Sequence, residues 1–403
     1  MLEIKDYIAN QLGTDYLDEL QKMTICYLLK QNVALDGEPG IGKTESVLAF
    51  ARIIGKEVFD KGCSEDTTEN QIIGFPVLEE KNGATSTKYV DGPLTAAMRT
   101  GNIFYGDEFN LLRKDKQKRL NSAFDNRRYI IKSDNEKVDA SPSFFSVISY
   151  NPSNTLIKKD LDESVADRFI HIHYNPLPKE LLTYIALKKI SGDIEMENIT
   201  LETRGILFLQ NKVLFFVKNS SGWTDFFTGK IIDKMTIEKI EPMLKVYKTF
   251  IPKRTLRHIP ETELRNNSHL KKFAENLTLF TDCIRNLIDK GSLEIDKRIA
   301  SNLPDSQIFT KLNAHRPSLR LMIAALQQYN MLIKLGMNPQ LGRQYISDLC
   351  ADCICFGQYR DIKVGELTTL KIVNTVAELY GLIPNSVDLT SNFSSTNSKL
   401  KAG

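Results

Sequence analysis

A chain of 403 residues, 42% hydrophobic and 26% charged, has the apolar material for two or three buried cores and reads as globular. Its net charge of +3 is too small to argue for nucleic acid or an anionic membrane as the natural partner. No apolar run approaches the roughly 20 residues that cross a bilayer, and the polar start Met-Leu-Glu-Ile-Lys-Asp is unlike a secretory leader, so a cytoplasmic protein is expected.

In chain order, residues 1–32 are amphipathic and predict a helix, above all over 15–30, leading into a first strand at 33–35. From there to about residue 175, short apolar runs alternate with helical periodicity, as a parallel α/β sheet requires. Strands are predicted over 57–59, 102–105, 144–149 and 169–174, and helices over 43–54, 93–100, 113–126 and 161–168. Val77-Leu78-Glu79-Glu80-Lys81 followed by Asn82-Gly83 reads as a strand turning into a hairpin. Pro176 and Pro178 punctuate the chain. Helical repeats bearing Lys and Glu then predict segments 179–191, 201–219, 231–249, 262–289, 317–336 and 340–356, with 375–384 closing the last helix. The boundaries that follow are 1–178 for an α/β domain, 179–384 for an all-α domain, and 385–403 for a Ser/Thr/Asn-rich tail expected to be disordered.

The octet Gly37-Glu38-Pro39-Gly40-Ile41-Gly42-Lys43-Thr44 fits G-x-x-x-x-G-K-[ST] and lies between a predicted strand and a predicted helix, the context a phosphate-binding loop needs. Its glycines let backbone N–H groups converge on an anion, and the helix N-terminus adds partial positive charge. Lys43 reaches the outer phosphates and Thr44 offers a hydroxyl to Mg2+. A nucleoside triphosphate is the expected ligand. Ile103-Phe104-Tyr105-Gly106-Asp107-Glu108 then ends an apolar strand in two carboxylates beside that loop. Asp107 is placed to hold Mg2+, and Glu108 to orient and deprotonate an attacking water. Asn151, in Ser149-Tyr150-Asn151-Pro152, offers both a donor and an acceptor to the γ-phosphate or the water; the plainer reading is turn chemistry. Arg168, in Ala166-Asp167-Arg168-Phe169, ends a helix just before a strand. A guanidinium there either stabilises charge on a neighbouring subunit's phosphate or forms an ordinary surface ion pair.

Taken in order, Gly-Glu-Pro-Gly-Ile-Gly-Lys-Thr, Asp-Gly-Pro-Leu-Thr-Ala-Ala-Met-Arg, Tyr-Gly-Asp-Glu-Phe-Asn, Ser-Tyr-Asn-Pro and Ala-Asp-Arg-Phe resemble the blocks of the MoxR-type AAA+ ATPases. The chain is most similar to the CbbQ/NirQ/GvpN branch of the dynein-related AAA group, over about residues 15–178. The resemblance implies a P-loop NTPase core with a hairpin inserted in its second helix, here over 67–90, which faces a ring's pore or a partner. It implies ATP and Mg2+ as cofactors, Asn151 as first sensor and Arg168 as arginine finger, with Arg127 and Arg128 as rivals. It implies a second sensor at Arg320 in Pro317-Ser318-Leu319-Arg320, with Arg316 as alternative. It also implies a homo-oligomeric ring, a hexamer, that remodels, activates or loads a partner protein; proteins with a von Willebrand A-type domain are frequent partners of the group. Two features depart from it. Gly106 stands where many relatives carry an aliphatic residue, and the stretch from Pro178 to Ser318 is longer than the group's compact lid.

Competing functions are a nucleic-acid-dependent motor of the McrB kind and a scaffold that holds nucleotide without turning it over. Intact Lys43, Asp107, Glu108 and Asn151 speak against the scaffold. The basic cluster Arg113, Lys114, Lys116, Lys118 and Arg119 is expected to be a solvated face or subunit contact. Trp223, with Phe226 and Phe227, is expected to pack inside a helical domain. Cys350, Cys353 and Cys355 lack the fourth ligand of a tetrahedral metal site and are expected as small apolar residues of a buried helix.

Overall fold

Residues 2–10 form β1 (Leu2–Asn10), with Ile4, Ile8 and Ala9 buried, where a helix is expected. The cause is long-range: β1 pairs in parallel with a strand from far along the chain, Leu2 opposite Lys245 and Asn10 opposite Phe250. Helix α1 (Glu19–Leu28) follows, opened by an Asp18 capping box, and Glu19 through Cys26 are all buried. The computed structural model describes residues 1–10, 16–81, 84–151, 161–175, 177–178, 181, 184–185, 199–209, 212–251, 268–289, 312, 314–356, 359–360, 362–364 and 367–382.

The α/β core runs β2 (Asn32–Gly37), α2 (Lys43–Ile54), β3 (Val58–Gly62), α3 (Glu69–Ile73), β4 (Gly74–Lys81), β5 (Ala84–Asp91), α4 (Pro93–Thr100) and β6 (Ile103–Asp107). It continues through α5 (Lys114–Arg119), α6 (Asn121–Phe124), β7 (Tyr129–Ile131), β8 (Lys137–Asp139), β9 (Phe145–Tyr150), α7 (Glu163–Ala166) and β10 (Phe169–Tyr174). Five strands hydrogen-bond in the order β10-β2-β9-β6-β3, all parallel. Every residue of β2 and β9 is buried, and their centres, Val33-Ala34-Leu35 and Val147-Ile148, are apolar on both faces. From β2 the chain crosses to the far edge at β3 and finally returns to its other side at β10, so the carboxyl end of β2 is a topological switch point, where such sheets open a crevice. Between β3 and α4, the hairpin β4–β5 pairs from Gly74 opposite Asp91 to Lys81 opposite Ala84; residues 82 and 83 lie outside the described ones. The buried Lys132 anchors its base, bridging Asp91, Asp134 and Glu136 and lying 3.7 Å over the Tyr89 ring.

Residues 201–250 depart from the all-helical expectation. They form β11 (Leu201–Leu209), β12 (Lys212–Asn219), β13 (Gly222–Asp225), a short α8 (Lys234–Ile240) and β14 (Lys245–Phe250), in a second sheet ordered β1-β14-β11-β12-β13. Ile206-Leu207-Phe208 and Val213-Leu214-Phe215-Phe216-Val217 are rich in β-branched and aromatic residues. A two-residue turn joins β12 to β13, where Asn219 Oδ1 accepts from the Ser221 N–H at 3.0 Å and Gly222 sits at φ 116°. Trp223, expected among helices, is instead buried in this sheet against Leu207, Phe216, Leu244 and Val246. Gly205 makes room for it: a Cβ there would stand 3.2 Å from the indole ring.

A buried polar knot ties this sheet to α1. Arg204 Nη1 donates to Asp18 Oδ2 (2.9 Å), Gln21 Oε1 (2.6 Å) and the Tyr16 carbonyl (3.0 Å), while Thr249 and Tyr247 hydroxyls donate to the same Asp18 oxygen at 2.9 and 3.1 Å. The chain accordingly divides into a compact unit Met1–His258, reaching past the boundary expected at 178, and a second unit Ile259–Gly403. The second unit holds α9 (Ser268–Asp289), α10 (Leu319–Lys334), α11 (Pro339–Ile354), a small ladder of β15 (Lys363–Val364) and β16 (Leu367–Thr368), and α12 (Thr369–Leu379). The class is thus a parallel α/β core followed by a C-terminal helical region. Cys350 and Cys353 in α11, and Cys355 just after it, are buried and form no disulfide. Most of the helix predicted over 179–191, and the whole tail 385–403, fall outside the described residues.

Candidate functional site

The carboxyl ends of β2, β6, β9 and β10 bring the predicted residues together. After Gly37 the chain wraps through Gly40 and Gly42 into α2, whose first residue is Lys43. Gly37 cannot be replaced: at φ 149° a Cβ would lie 2.7 Å from the Tyr174 carbonyl oxygen. Gly42 caps α2 at φ 94° with no side chain on the helix's first N–H groups, so those donors remain for an anion. The open space around Gly40, where a Cβ would meet nothing within 4 Å, suits a bulky phosphate chain.

Lys43 is buried and folds back on this loop. Its Nζ donates to the Gly37 and Glu38 carbonyls at 2.6 and 3.0 Å and to Asn151 Oδ1 at 2.7 Å. Burial pushes the ammonium below its usual range, against the pull of Asp36, Asp107 and Glu108. Asp36, just before the loop, pairs with His173 Nδ1 at 2.7 Å across the β2–β10 register. Asn151 is therefore held at the loop.

Asp107 ends β6. Its Oδ1 accepts from the Glu108 N–H (3.1 Å), from the Tyr105 hydroxyl (3.0 Å) and, in a short bond, from the Ser149 hydroxyl. The Tyr105 hydroxyl also lies 3.0 Å from Thr44 Oγ1 and 2.9 Å from Ser149 Oγ. Thr44 and Asp107 thus share one bridging group, and this hydroxyl–carboxylate pair fits a hard divalent cation. Burial pushes the Tyr105 phenol well above its ordinary range, so it stays protonated. Neither Tyr105 nor Ser149 was legible as a site residue in the motifs; the signal was Tyr105's place two residues before Asp107, on the same face of the strand. Glu108 is exposed and adopts a left-handed backbone at φ 51°, an unfavourable conformation for a residue with a Cβ. Gly106 also finds its reason here: a Cβ would come within 2.7 Å of the buried Phe109 ring, which fills the space an aliphatic residue would need.

The candidate arginines separate. Arg168 Nη1 donates to the Ser164 carbonyl in a short bond, and its charge bears on Asp125. Arg127 forks onto the same Asp125 Oδ2 at 2.9 and 2.6 Å. Burial alone would raise the Asp125 carboxyl, but these donors outweigh it and hold it below the usual carboxylate range. Arg128 is committed within its own chain: it donates to the Lys30 and Phe144 carbonyls at 2.9 and 2.7 Å. In the second unit, Arg316 pairs with Asp289 at 3.1 Å; Arg320 stands in α10, and its side chain lies outside the described ones. In the basic cluster, Lys116 donates to the Thr67 carbonyl at 2.6 Å, Lys118 meets Asp162 at 3.2 Å and Arg119 meets Glu69 at 2.8 Å, as a solvated, ion-paired face does.

A glycine-lined loop at the switch point of a 5-stranded parallel sheet, with an acidic strand end beside it, defines a P-loop nucleotide-binding fold. Residues 32–169 match the family model of the AAA domain, dynein-related subfamily. The resemblance read from the motifs is borne out by three relatives. The chain is 34% identical to protein CbbQ of Hydrogenophilus thermoluteolus over 40% of its own length, 36% identical to NorQ of Paracoccus denitrificans over 38%, and 33% identical to the denitrification regulatory protein NirQ of Pseudomonas aeruginosa over 36%. It spans 60, 56 and 54% of those relatives' lengths, respectively. A solved structure from Cytophaga hutchinsonii, described as a candidate ATPase, matches 89% of this chain and 87% of its own with a TM-score of 0.52 at 14% identity, a likeness of fold. Among the described residues no helix is long and apolar enough to cross a membrane.

Proposed function

We propose that this protein hydrolyses ATP with Mg2+ in a ring of identical subunits, a hexamer, and uses the resulting motion to remodel, activate or load a partner protein. One observation carries the reading: Lys43, Asn151, Thr44 and Asp107 are linked by hydrogen bonds at one sheet edge, through Lys43–Asn151 at 2.7 Å and the Tyr105 hydroxyl at 3.0 Å from both Thr44 and Asp107. The loop amides and Lys43 bind and orient the phosphates. Thr44 and Asp107 would hold Mg2+, which would neutralise charge at the transferred phosphoryl group. Asn151 orients the outer phosphate or the water, and Glu108 takes the water's proton. The three protons of Lys43 are committed to the Gly37 and Glu38 carbonyls and to Asn151, so one of these bonds opens as phosphate arrives. Arg168 of an adjacent protomer completes the charge stabilisation.

The hairpin β4–β5 supports a protein client. Phe75, Val77, Leu78 and Val90 are exposed on it, Leu78 at 73%, and apolar groups on a firmly anchored hairpin suit a grip that differs between nucleotide states. NirQ is described as a regulatory protein, which agrees with action on another protein.

Phosphate release and nucleotide binding by the wild type, Glu108→Gln and Lys43→Ala test the assignment. Glu108→Gln keeps ATP binding but slows turnover by about 100-fold or more, the usual yield of a positioned base; Lys43→Ala loses binding. Equal release by Glu108→Gln and the wild type would remove Glu108 from the chemistry.

A further inference from the structure

The Tyr105 side chain is buried within the strand that carries Asp107, and its hydroxyl meets Thr44 Oγ1 at 3.0 Å, Asp107 Oδ1 at 3.0 Å and Ser149 Oγ at 2.9 Å. A protonated phenol has one proton to give. The Ser149 proton is already committed to Asp107 Oδ1. The Tyr105 proton then goes to Asp107 or to Ser149, and in either case points away from Thr44. The remaining contact must run the other way, with the Thr44 hydroxyl donating to the tyrosine oxygen. Among the described residues, Asp107 Oδ2 takes no hydrogen bond, whereas Oδ1 is the acceptor for Tyr105, Ser149 and the Glu108 N–H.

We infer that Tyr105 is a positioning residue for the divalent cation, an inference that rests on the nucleotide–Mg2+ reading above. It draws the Thr44 proton inward so that a hydroxyl lone pair faces the cation, and it helps hold Asp107 so that one carboxylate oxygen stays free. A threonine hydroxyl without this partner rotates among three staggered positions and presents its proton to the cation in some of them. Orienting it in advance removes that cost from metal binding. The relay acts on the coupling between metal and nucleotide; binding of nucleotide alone depends on the loop amides and Lys43, to which the Tyr105 hydroxyl makes no hydrogen bond among the described residues.

The test is titration of the full chain with N-methylanthraniloyl-ATP, once in EDTA and once in excess Mg2+, for the wild type, Tyr105→Phe and Ser149→Ala. Tyr105→Phe is expected to keep the EDTA affinity and to lose about fivefold of the tightening that Mg2+ brings, the size of one net hydrogen bond. Ser149→Ala, which leaves the Thr44–Tyr105 contact in place, keeps most of the tightening. Should Tyr105→Phe fail to fold by thermal melting, Tyr105→Met fills the space without a hydroxyl and carries the same expectation. An unchanged ratio of the two affinities in the tyrosine variant overturns the relay while leaving the Mg2+–nucleotide site standing. An equal loss in both media overturns it too, since that marks a packing role. A wild type that gains nothing from Mg2+ removes the reading of the site, and the relay with it.

Discussion

Glu19 of α1 is a carboxyl buried beside a second carboxyl, Asp18. Burial, and then the neighbouring Asp18 carboxylate, push its carboxyl up to about 8, where an unfolded chain would titrate near 4.5. Tyr7 of β1 donates to it in a short bond, and the Asn10 N–H reaches both its oxygens at 3.1 and 2.9 Å. The folded protein therefore keeps a proton that the unfolded chain gives up. The sign follows: stability from this group is whole below about pH 4.5 and is lost as pH rises through about 8. Glu19→Gln, which never ionises, should gain on the wild type in melting temperature as pH is raised across that window. A constant offset between the two melting curves from about pH 5 to pH 9 would mean that Glu19 titrates as an ordinary carboxyl in the fold.

At the scale of elements, the second sheet stands or falls with the polar knot on α1. Arg204 and Asp18 have side chains 2% and 0% exposed, so removing one partner strands the other in a medium that tolerates no lone charge. Arg204→Ala is expected to cost about 3–5 kcal/mol, whereas pairing Arg204→Met with Asp18→Asn should recover most of that loss. The single tryptophan makes the measurement local: Trp223 is buried in this sheet and in no other element, so the urea midpoint of its fluorescence reports the sheet's own unfolding. A midpoint unmoved by Arg204→Ala would show the knot to be dispensable.

This sheet is also where the sequence was least informative. The parallel core was readable because each strand carries its signal locally: β2 and β9 are apolar on both faces, and α2 and α4 begin and end where the periodicity places them. The loop glycines, Lys43 and the Asp107-Glu108 strand end are likewise contiguous in the chain. β1 and β14 are not, since β1 pairs only with β14, from almost the other end of the first unit, among the described residues. Leu and Phe in β11 and β12 satisfy a helical period as well as a strand's, and only the turn at Asn219-Ser220-Ser221-Gly222 separates the two readings. Tyr105, Ser149 and the Asp36–His173 pair were illegible for a related reason: their roles arise from register between strands, as when Gly106 stands opposite Ile148 and brings Asp107 level with Ser149.

For the whole molecule, the question is whether one chain holds a complete site. Lys43, Thr44, Asp107, Glu108 and Asn151 gather at the crevice, while Arg168 is turned to the Ser164 carbonyl and the electrostatic neighbourhood of Asp125, which it shares with Arg127. Arg128, donating to two carbonyls of its own chain, is poorly placed to reach another subunit. A finger given in trans makes a specific demand on mixtures. Lys43→Ala cannot hold nucleotide but still offers Arg168; Arg168→Ala holds nucleotide but offers no finger. Each alone should be nearly silent, yet an equal mixture, allowed to exchange subunits, should recover about a quarter of the wild-type rate if every interface turns over independently. Recovery should disappear on dilution below the assembly concentration and should not depend on which variant is in excess, only on how many mixed interfaces form. If the mixture stays as silent as its parts, while Arg127→Ala in place of Arg168→Ala restores the rate, the trans role passes from Arg168 to its neighbour on Asp125.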